Sequence, residues 1–272
     1  MPELPEVETV KETLRKQVLN KKIKDILLYY DKLIEYPSVN DFKEKIVGQT
    51  IVDITRRGKW LVFVLNDYYL LSHLRMEGKY LIRNSLDDVE KHEHISIVFE
   101  DDVVLRYKDT RKFGRMHLID KRNIDNIGPL KDLGLEPWSS DLNSLYLKDK
   151  YKNKKLPIKT VLLDQSIIVG IGNIYADEIL FLSKINPLKR SNLLDDLELD
   201  SIIKNTRFVL GEAIKAGGTT IRTYTSSEGV HGRFQQSLLV HNRYDNCDVC
   251  GEKIVKIRVG GRGTYYCPSC QK

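Results

Sequence analysis

A chain of 272 residues exceeds one ordinary domain and falls short of three full-sized ones, so two globular parts with a small appendix are expected. Hydrophobic residues at 41% and charged residues at 30% are globular proportions, which excludes wholesale disorder, and no apolar run approaches the length of a membrane span. Most of the +6 net charge lies in residues 230–272, where seven Lys and Arg stand against three Asp and Glu. A positive tail on a nearly balanced body suits a polyanion partner, nucleic acid being the commonest. The N-terminus mixes Glu, Val and Lys without a leader-like block, so a cytoplasmic location is expected.

The opening Pro2-Glu3-Leu4-Pro5-Glu6-Val7-Glu8 leads into a helix: Val7, Val10, Leu14 and Val18 step by three or four, and Pro5 fits a first turn whose N–H would be unpaired anyway. From about Ile23 to Leu118 the texture turns to β. Strands are expected at Ile26 to Tyr30, Ile46 to Ile54, Trp60 to Leu65, Tyr69 to Leu74, Ile95 to Phe99 and Val103 to Tyr107, with a hairpin turn at Asp101-Asp102. Closely spaced strands of branched and aromatic residues argue for a β-sandwich or barrel. Breakers at Gly128-Pro129 and from Leu133 to Pro137 read as a hinge, after which Asn173 to Lys184 and Leu197 to Ala216 carry helical periodicity. Gly217-Gly218 stops the second helix, and the polar, glycine-bearing stretch 219–232 reads as a loop.

All four cysteines lie in Cys247-x2-Cys250 and Cys267-x2-Cys270, sixteen residues apart. Two such knuckles can place four thiolates tetrahedrally around one Zn²⁺, joined by a hairpin of Lys253 to Val259 and Thr264 to Cys267 with Gly260-Gly261-Arg262-Gly263 as its turn. Two disulfides are the alternative, which a cytosolic setting disfavours. So short a segment cannot bury enough apolar area to fold alone, so the metal would be structural; with four protein ligands it has no open position for water. Arg262, at the tip of this hairpin, is either a phosphate clamp or an idle turn residue.

Pro2 is small enough to permit removal of Met1, which leaves a secondary α-amine beside Glu3. The reference pKa of an α-amine, about 7.7–8.0, keeps a useful fraction unprotonated near neutrality. Attack of such an amine on a sugar C1′ gives, after base loss and ring opening, an iminium cation; this electron sink permits proton loss at C2′ and elimination of the 3′ phosphate. Glu3 and Glu6 offer carboxylates for proton transfer or for holding the amine, although acids at a helix start also simply complement its dipole.

Met1-Pro2-Glu3-Leu4-Pro5-Glu6-Val7-Glu8-Thr9 resembles the opening of the bacterial formamidopyrimidine-DNA glycosylases, bifunctional enzymes that remove 8-oxoguanine and ring-opened purines. The resemblance continues in Arg56-Arg57-Gly58-Lys59, His73-Leu74-Arg75-Met76-Glu77-Gly78, Lys91-His92-Glu93-His94 and Asp109-Thr110-Arg111-Lys112-Phe113-Gly114. It runs on through Val169-Gly170-Ile171-Gly172-Asn173-Ile174-Tyr175, Gly217-Gly218-Thr219-Thr220 and Cys267-Pro268-Ser269-Cys270. It implies an α+β multidomain fold: an N-terminal helix plus two-layer β-sandwich forming the catalytic domain over 1–128, a helix-two-turns-helix DNA-binding domain with a lesion-capping loop over 129–232, and a β-hairpin zinc finger over 233–272. The implied activity is that of a DNA glycosylase and class I AP lyase of base excision repair, which removes oxidised purines through a Schiff base on Pro2 and nicks the strand by β,δ-elimination. The implied partner is double-stranded DNA bearing oxidised purines or abasic sites, engaged by a monomer that associates with the nucleoid when bound. One structural Zn²⁺ is implied, with no catalytic metal, organic cofactor or membrane partner.

By the same resemblance Pro2 is the nucleophile, Glu3 the acid/base group, Glu6 its support, Lys59 the lysine of β-elimination and Arg262 the arginine of δ-elimination. A guanidinium stays charged, so Arg262 is better read as a clamp on the leaving phosphate. Met76, Arg111 and Phe113 match the residues that refill the stack when the nucleotide is everted, a step that costs a few kcal/mol. For Met76 or Phe113 taken singly, core packing is the plainer reading. His73, His92, Lys154 and Asn173 match DNA-contacting positions, although His73 also reads as a core histidine, Asn173 as a helix cap and Lys154 as part of a solvated lysine run. Glu77, Thr219, Thr220, Arg222 and Tyr224 are the suspects for lesion recognition. A metal site at His92 and His94 is disfavoured for want of a nearby ligand cluster. Two departures stand out: His241-Asn242 replaces the family's usual Tyr-Gly, so His241 must take over a phosphate contact or lose it, and Leu135 replaces a proline, which is expected to loosen the hinge.

The nearest rivals are a related glycosylase acting on oxidised pyrimidines and a zinc-ribbon nucleic-acid-binding protein without catalysis. The first usually begins Pro-Glu-Gly, unlike this chain; the second gives no reason for Pro2-Glu3.

Overall fold

The computed structural model describes residues 1–219 and 232–272. They fall into two compact units, the first formed by residues 1–2, 6–132, 219 and 232 and the second by residues 3–5, 133–218 and 233–272. Thr220, Arg222 and Tyr224 lie outside the described residues.

Helix α1 (Leu4–Val18) starts the chain, and Val7, Val10, Leu14 and Val18 are all buried, as their spacing requires. Two sheets follow in the first unit. One has the order β1 (Ile23–Leu28), β7 (Glu93–Phe99), β8 (Val103–Lys108), β6 (Lys79–Asn84). The other has the order β2 (Ile34–Tyr36), β9 (Arg115–Asp120), β5 (Tyr68–His73), β4 (Trp60–Val64), β3 (Asp53–Arg57), with β2 parallel to β9. Ile26, Ile97 and Leu105 from the first sheet share one core with Ile54, Phe63, Leu70 and Leu118 from the second, so the β region is a two-layer sandwich.

Of the strand expected from Ile46 to Ile54 only the end is there, since β3 begins at Asp53. Instead Ser38 caps helix α2 (Val39–Ile46), accepting a hydrogen bond from Asp41 N–H, and Phe42 and Ile46 bury one face four residues apart. Gly48 then turns at φ +83°. Asp102, expected in the turn between β7 and β8, is there at φ +62°.

The second unit packs α3 (Ser144–Tyr151), α4 (Ile158–Leu162), α5 (Asn173–Leu182) and α6 (Asp196–Lys215) around Leu4, Ile158, Tyr175, Ile179, Ile202 and Leu210. A capping box between Asp195 and Glu198 starts α6, and Gly217 and Gly218, both at positive φ, follow its end. Leu135 corrects one expectation. Its N–H donates to Ile167 C=O at 3.0 Å, a bond a proline could not make, so the replacement adds a tie at this point of the chain. The unit ends in the hairpin β10 (Val255–Val259) and β11 (Arg262–Tyr266). Its turn has only two residues, Gly260 at φ +54° and Gly261 at φ +77°, so Arg262 heads β11 opposite Val259, where the sequence suggests the tip of a four-residue turn.

Candidate active site and DNA-contacting residues

In the first unit Pro2 is buried behind an exposed Met1. Glu6, 2% exposed, accepts hydrogen bonds through Oε1 from the Thr219 N–H at 2.8 Å and the Thr219 hydroxyl at 3.0 Å. Thr219, a lesion suspect, is therefore a buried partner of a carboxylate beside the N-terminus. Lys59 is 6% exposed and follows Gly58, which turns at φ +56° between β3 and β4. A solvated lysine at a strand start is the plain alternative for Lys59, and this burial argues against it.

His73 is buried, with its ring edge on Trp60 at a centroid distance of 4.8 Å. The Arg75 N–H donates to its Nδ1 at 2.9 Å, so the ring proton sits on Nε2. Burial, reinforced by the charges of Arg75 and Lys59, pushes its pKa down to about 3. The ring is thus a neutral donor, and the core reading and a hydrogen bond to phosphate are compatible.

Met76 and Glu77 are half-buried, while Arg111 and Phe113 are exposed, with the Arg111 guanidinium 4.7 Å from the centre of the Phe113 ring. Two features bring their loops together. The buried Asp109 carboxylate accepts hydrogen bonds from the backbone N–H groups of Arg111, Phe113 and Gly114 at 3.0, 2.8 and 2.8 Å. The buried Tyr107 ring lies against both Gly78 and Gly114: a Cβ added to either would come within 2.1 and 1.9 Å of its hydroxyl. The loop of Met76 and the loop of Phe113 therefore converge on one side chain. Sequence reading passed over Asp109 and Tyr107; an Asp five residues before a Gly, across a short polar loop, was the available signal.

His92 sits half-exposed at φ +72°, and its C=O accepts from Asp109 N–H at 3.0 Å. Desolvation, then the charges of Lys91, His94, Lys108 and Lys112, hold its pKa below the usual value. His94 is buried, with Nε2 2.7 Å from the Asp109 C=O.

In the second unit Glu3, 2% exposed, lies at the N-terminus of α5: Ile174 N–H donates to Oε1 at 3.0 Å and Tyr175 N–H lies 3.5 Å from Oε2. A Cβ on Gly172 would fall 2.2 Å from Glu3 Cδ, so only glycine admits the carboxylate there. The positive end of the helix thus holds a buried carboxyl group at the residue that follows Pro2. The Asn173 side chain does not cap α5; its Nδ2 donates to the Gly263 C=O at 3.0 Å, next to Arg262. Lys154, half-buried, pairs with Asp164 at 3.4 Å, and Arg262 is exposed.

A buried polar group that sequence reading missed ties this region together. Lys159 and Asp177, both fully buried, pair at 2.6 Å, and Lys159 Nζ donates to the Gly263 C=O at 3.1 Å. The second oxygen of Asp177 lies 2.7 Å from His241 Nδ1 and accepts from Tyr265 N–H at 3.2 Å. Glu178 accepts from the N–H groups of Leu239, Val240 and His241, and burial raises its pKa despite them. An Asp-Glu pair inside the otherwise apolar Asn173–Leu182 was a legible sign of buried polar work.

The four cysteine sulfurs all lie within 4.8 Å of one another, with Cys247 to Cys270 at 3.9 Å and Cys250 to Cys267 at 3.4 Å. Tetrahedral zinc with Zn–S of about 2.3 Å requires sulfurs about 3.8 Å apart, so the donor set fits the ion. Among the described residues this is the one such cluster of ligand groups, and His92 and His94 belong to none.

Residues 1–116 match the family model for the formamidopyrimidine-DNA glycosylase N-terminal domain, residues 133–225 that for the H2TH domain of the same glycosylases, and residues 246–272 that for the zinc finger found in FPG and IleRS. Sandwich, helical region and zinc element in this order are the architecture of a DNA-repair glycosylase. Formamidopyrimidine-DNA glycosylases of Oceanobacillus iheyensis and Bacillus cereus are 48% and 46% identical to this chain, covering all of it and 98% and 99% of their own lengths. The chain belongs to the formamidopyrimidine-DNA glycosylase family. Solved structures agree: a Lactococcus lactis Fpg mutant bound to Fapy-dG-containing DNA matches with a TM-score of 0.93 at 39% identity, covering 100% of both chains. The Lactococcus lactis Fpg bound to DNA containing an abasic site matches with 0.92 at 39%, covering 99% of both.

Proposed function

We propose that this protein is a bifunctional DNA glycosylase and AP lyase that removes oxidised purines from duplex DNA. The observation that carries the reading is the buried Glu3 carboxylate at the start of α5, one residue from the position of the amine. Removal of Met1 frees the Pro2 amine, which attacks C1′ as the base departs. Glu3, held by two backbone N–H groups, exchanges the proton that opens the sugar ring. The resulting iminium carries the charge that lets the C2′ proton leave and the 3′ phosphate depart. Lys59 serves the β-elimination, Arg262 clamps the leaving phosphate, and Glu6 with Thr219 steadies the start of α1.

Met76, Arg111 and Phe113 refill the stack vacated by the everted nucleotide, and Asn173, His73, His92, Lys154 and His241 hold the backbone. Bound at the four cysteines, zinc supplies folding energy to the hairpin that bears Arg262. Glu77, Thr219, Thr220, Arg222 and Tyr224 are proposed to read the lesion. Oxidised purines head the substrate list because the relatives are formamidopyrimidine-DNA glycosylases and one similar complex holds Fapy-dG DNA.

Borohydride reduction of Met-free protein on 8-oxoguanine or abasic duplex should leave a covalent adduct on the N-terminal peptide. Absence of the adduct overturns the reading. Running an oxidised-pyrimidine duplex beside them tests base choice, since a similar Lactococcus lactis structure holds such DNA.

A further inference from the structure

Arg56 lies in β3, three residues before Lys59, and its side chain is only 10% exposed. Its Nε donates to Glu8 Oε2 at 2.9 Å, and its Nη1 donates to the Gly58 C=O at 2.9 Å. The first bond reaches helix α1, about one turn along from its start at Leu4. The second reaches the carbonyl of the peptide that joins Gly58 to Lys59.

That carbonyl shares one rigid plane with the Lys59 N–H. Gly58 stands at φ +56°, in the left-handed region, where glycine has wide freedom, so the local chain does not fix the tilt of the plane by itself. A hydrogen bond to the carbonyl from a planar guanidinium, itself anchored on Glu8, does fix it, and with it the direction in which the Lys59 side chain leaves the turn. The β3–β4 pairing holds Arg57 opposite Trp60, so the Gly58-Lys59 peptide is the turn that the Arg56 bond reaches. Glu8 is kept charged for the purpose: burial pushes its carboxyl up, but Lys11 and Arg56 outweigh burial and bring it below the usual value.

We infer that Arg56 is a positioning residue, which sets the Gly58-Lys59 peptide from an anchor on Glu8 and so holds the Lys59 ammonium in register with the helix that carries the N-terminal amine. The inference rests on the role proposed for Lys59. It assigns to the first arginine of Arg56-Arg57-Gly58-Lys59 an internal task, with no need of DNA contact.

The test compares wild type, Arg56→Gln, Arg56→Lys and the exchanged pair Glu8→Arg/Arg56→Glu, all with Met1 removed and zinc bound. On abasic duplex, Arg56→Gln should still form the borohydride-trapped adduct at a rate within threefold of wild type, while strand scission slows tenfold or more. Arg56→Lys, which can reach one acceptor but not both, should fall between. The exchanged pair restores an ion pair but not the bond to Gly58 C=O, so it should recover thermal stability without recovering scission. Lys59 acetylation, followed by mass spectrometry without DNA, should quicken at least threefold in Arg56→Gln. Scission unchanged in Arg56→Gln, full recovery by the exchanged pair, or Lys59 acetylation at the wild-type rate each overturns the inference. A wild-type protein that forms no adduct overturns the proposed function instead, and the acetylation comparison still decides the placement of Lys59.

Discussion

Asp177 and His241 meet at 2.7 Å through Oδ2 and Nδ1, and the other carboxylate oxygen is 2.6 Å from the buried ammonium of Lys159. The His241 ring is thereby turned so that Nε2 is its second polar edge, while its backbone N–H is already held by Glu178. Removing one partner of a buried ion pair leaves the other uncompensated, at a cost of about 3–5 kcal/mol. Asp177→Asn should therefore lower the free energy of unfolding, measured by urea denaturation, by that amount, and adding Lys159→Met should recover most of it. Equal stability of Asp177→Asn and wild type would show the pair is not carried in solution.

Gly172→Ala should spare the fold and impair the chemistry. Its Cβ would lie 2.2 Å from Glu3 Cδ, which drives the carboxylate off the N–H groups of α5. Base release and strand scission are expected to drop together by about 10²-fold, the scale of one positioned acid or base. The readout is single-turnover kinetics beside an unfolding curve; full activity would dissociate Glu3 from the reaction.

Asp109→Ala orphans the N–H groups of Arg111, Phe113 and Gly114, at about 1–3 kcal/mol. Much of that cost should appear as looser binding of abasic duplex, about tenfold in Kd by anisotropy, because the loop must otherwise be reordered on DNA. Asp109→Asn, which keeps acceptor oxygen, should lose less.

How far the sequence can be read depends on which residues do the folding. Val7, Val10, Leu14 and Val18 declared α1 because their burial is periodic, and the cysteine spacing declared the metal element because tetrahedral thiolates need little else. The segment from Ile46 to Ile54 misled, since branched residues on both sides of Gly48 imitate a strand while Phe42 and Ile46 belong to a helix face. Strand β6 (Lys79–Asn84) went unread because Lys79 and Arg83 interrupt its apolar run. Of the proposed site residues, Pro2, Glu3 and Lys59 were picked out through local strings. Lys159, Asp177 and Asp109 were not, because their meaning lies in partners far along the chain or in backbone N–H groups, and charged residues on a helix or loop ordinarily face water.

Acid should destabilise this protein partly through His73. The unfolded ring takes a proton near 6.5, whereas the buried ring waits until about 3, so the unfolded state binds more protons in between. Stability from this group is complete above pH 6.5 and is lost as pH falls toward 3, by up to about 1.4 kcal/mol per pH unit. His73→Gln should flatten the slope between pH 6 and 4 by about that amount, measured by urea unfolding. A slope unchanged by the substitution would mean the ring is solvated.

Chelation at the four thiolates should release one zinc and abolish amide-exchange protection over residues 246–272, since the metal supplies most of what so small a hairpin lacks. DNA binding should weaken at least tenfold, with protection of the β-sandwich retained. Cys267→Ala should reproduce the effect, and an unaltered exchange pattern after metal loss would count against a structural ion.

Leu4, wholly buried, packs where a Cβ on Gly170 would come within 2.3 Å of it, and residues 3–5 count among the pieces of the second unit. The proposed nucleophile and a keystone of hydrophobic packing thus stand two residues apart in the chain. Deleting the first few residues to disarm the amine would also unpick a core, so a clean loss-of-reaction control must be chemical or a point change at Pro2.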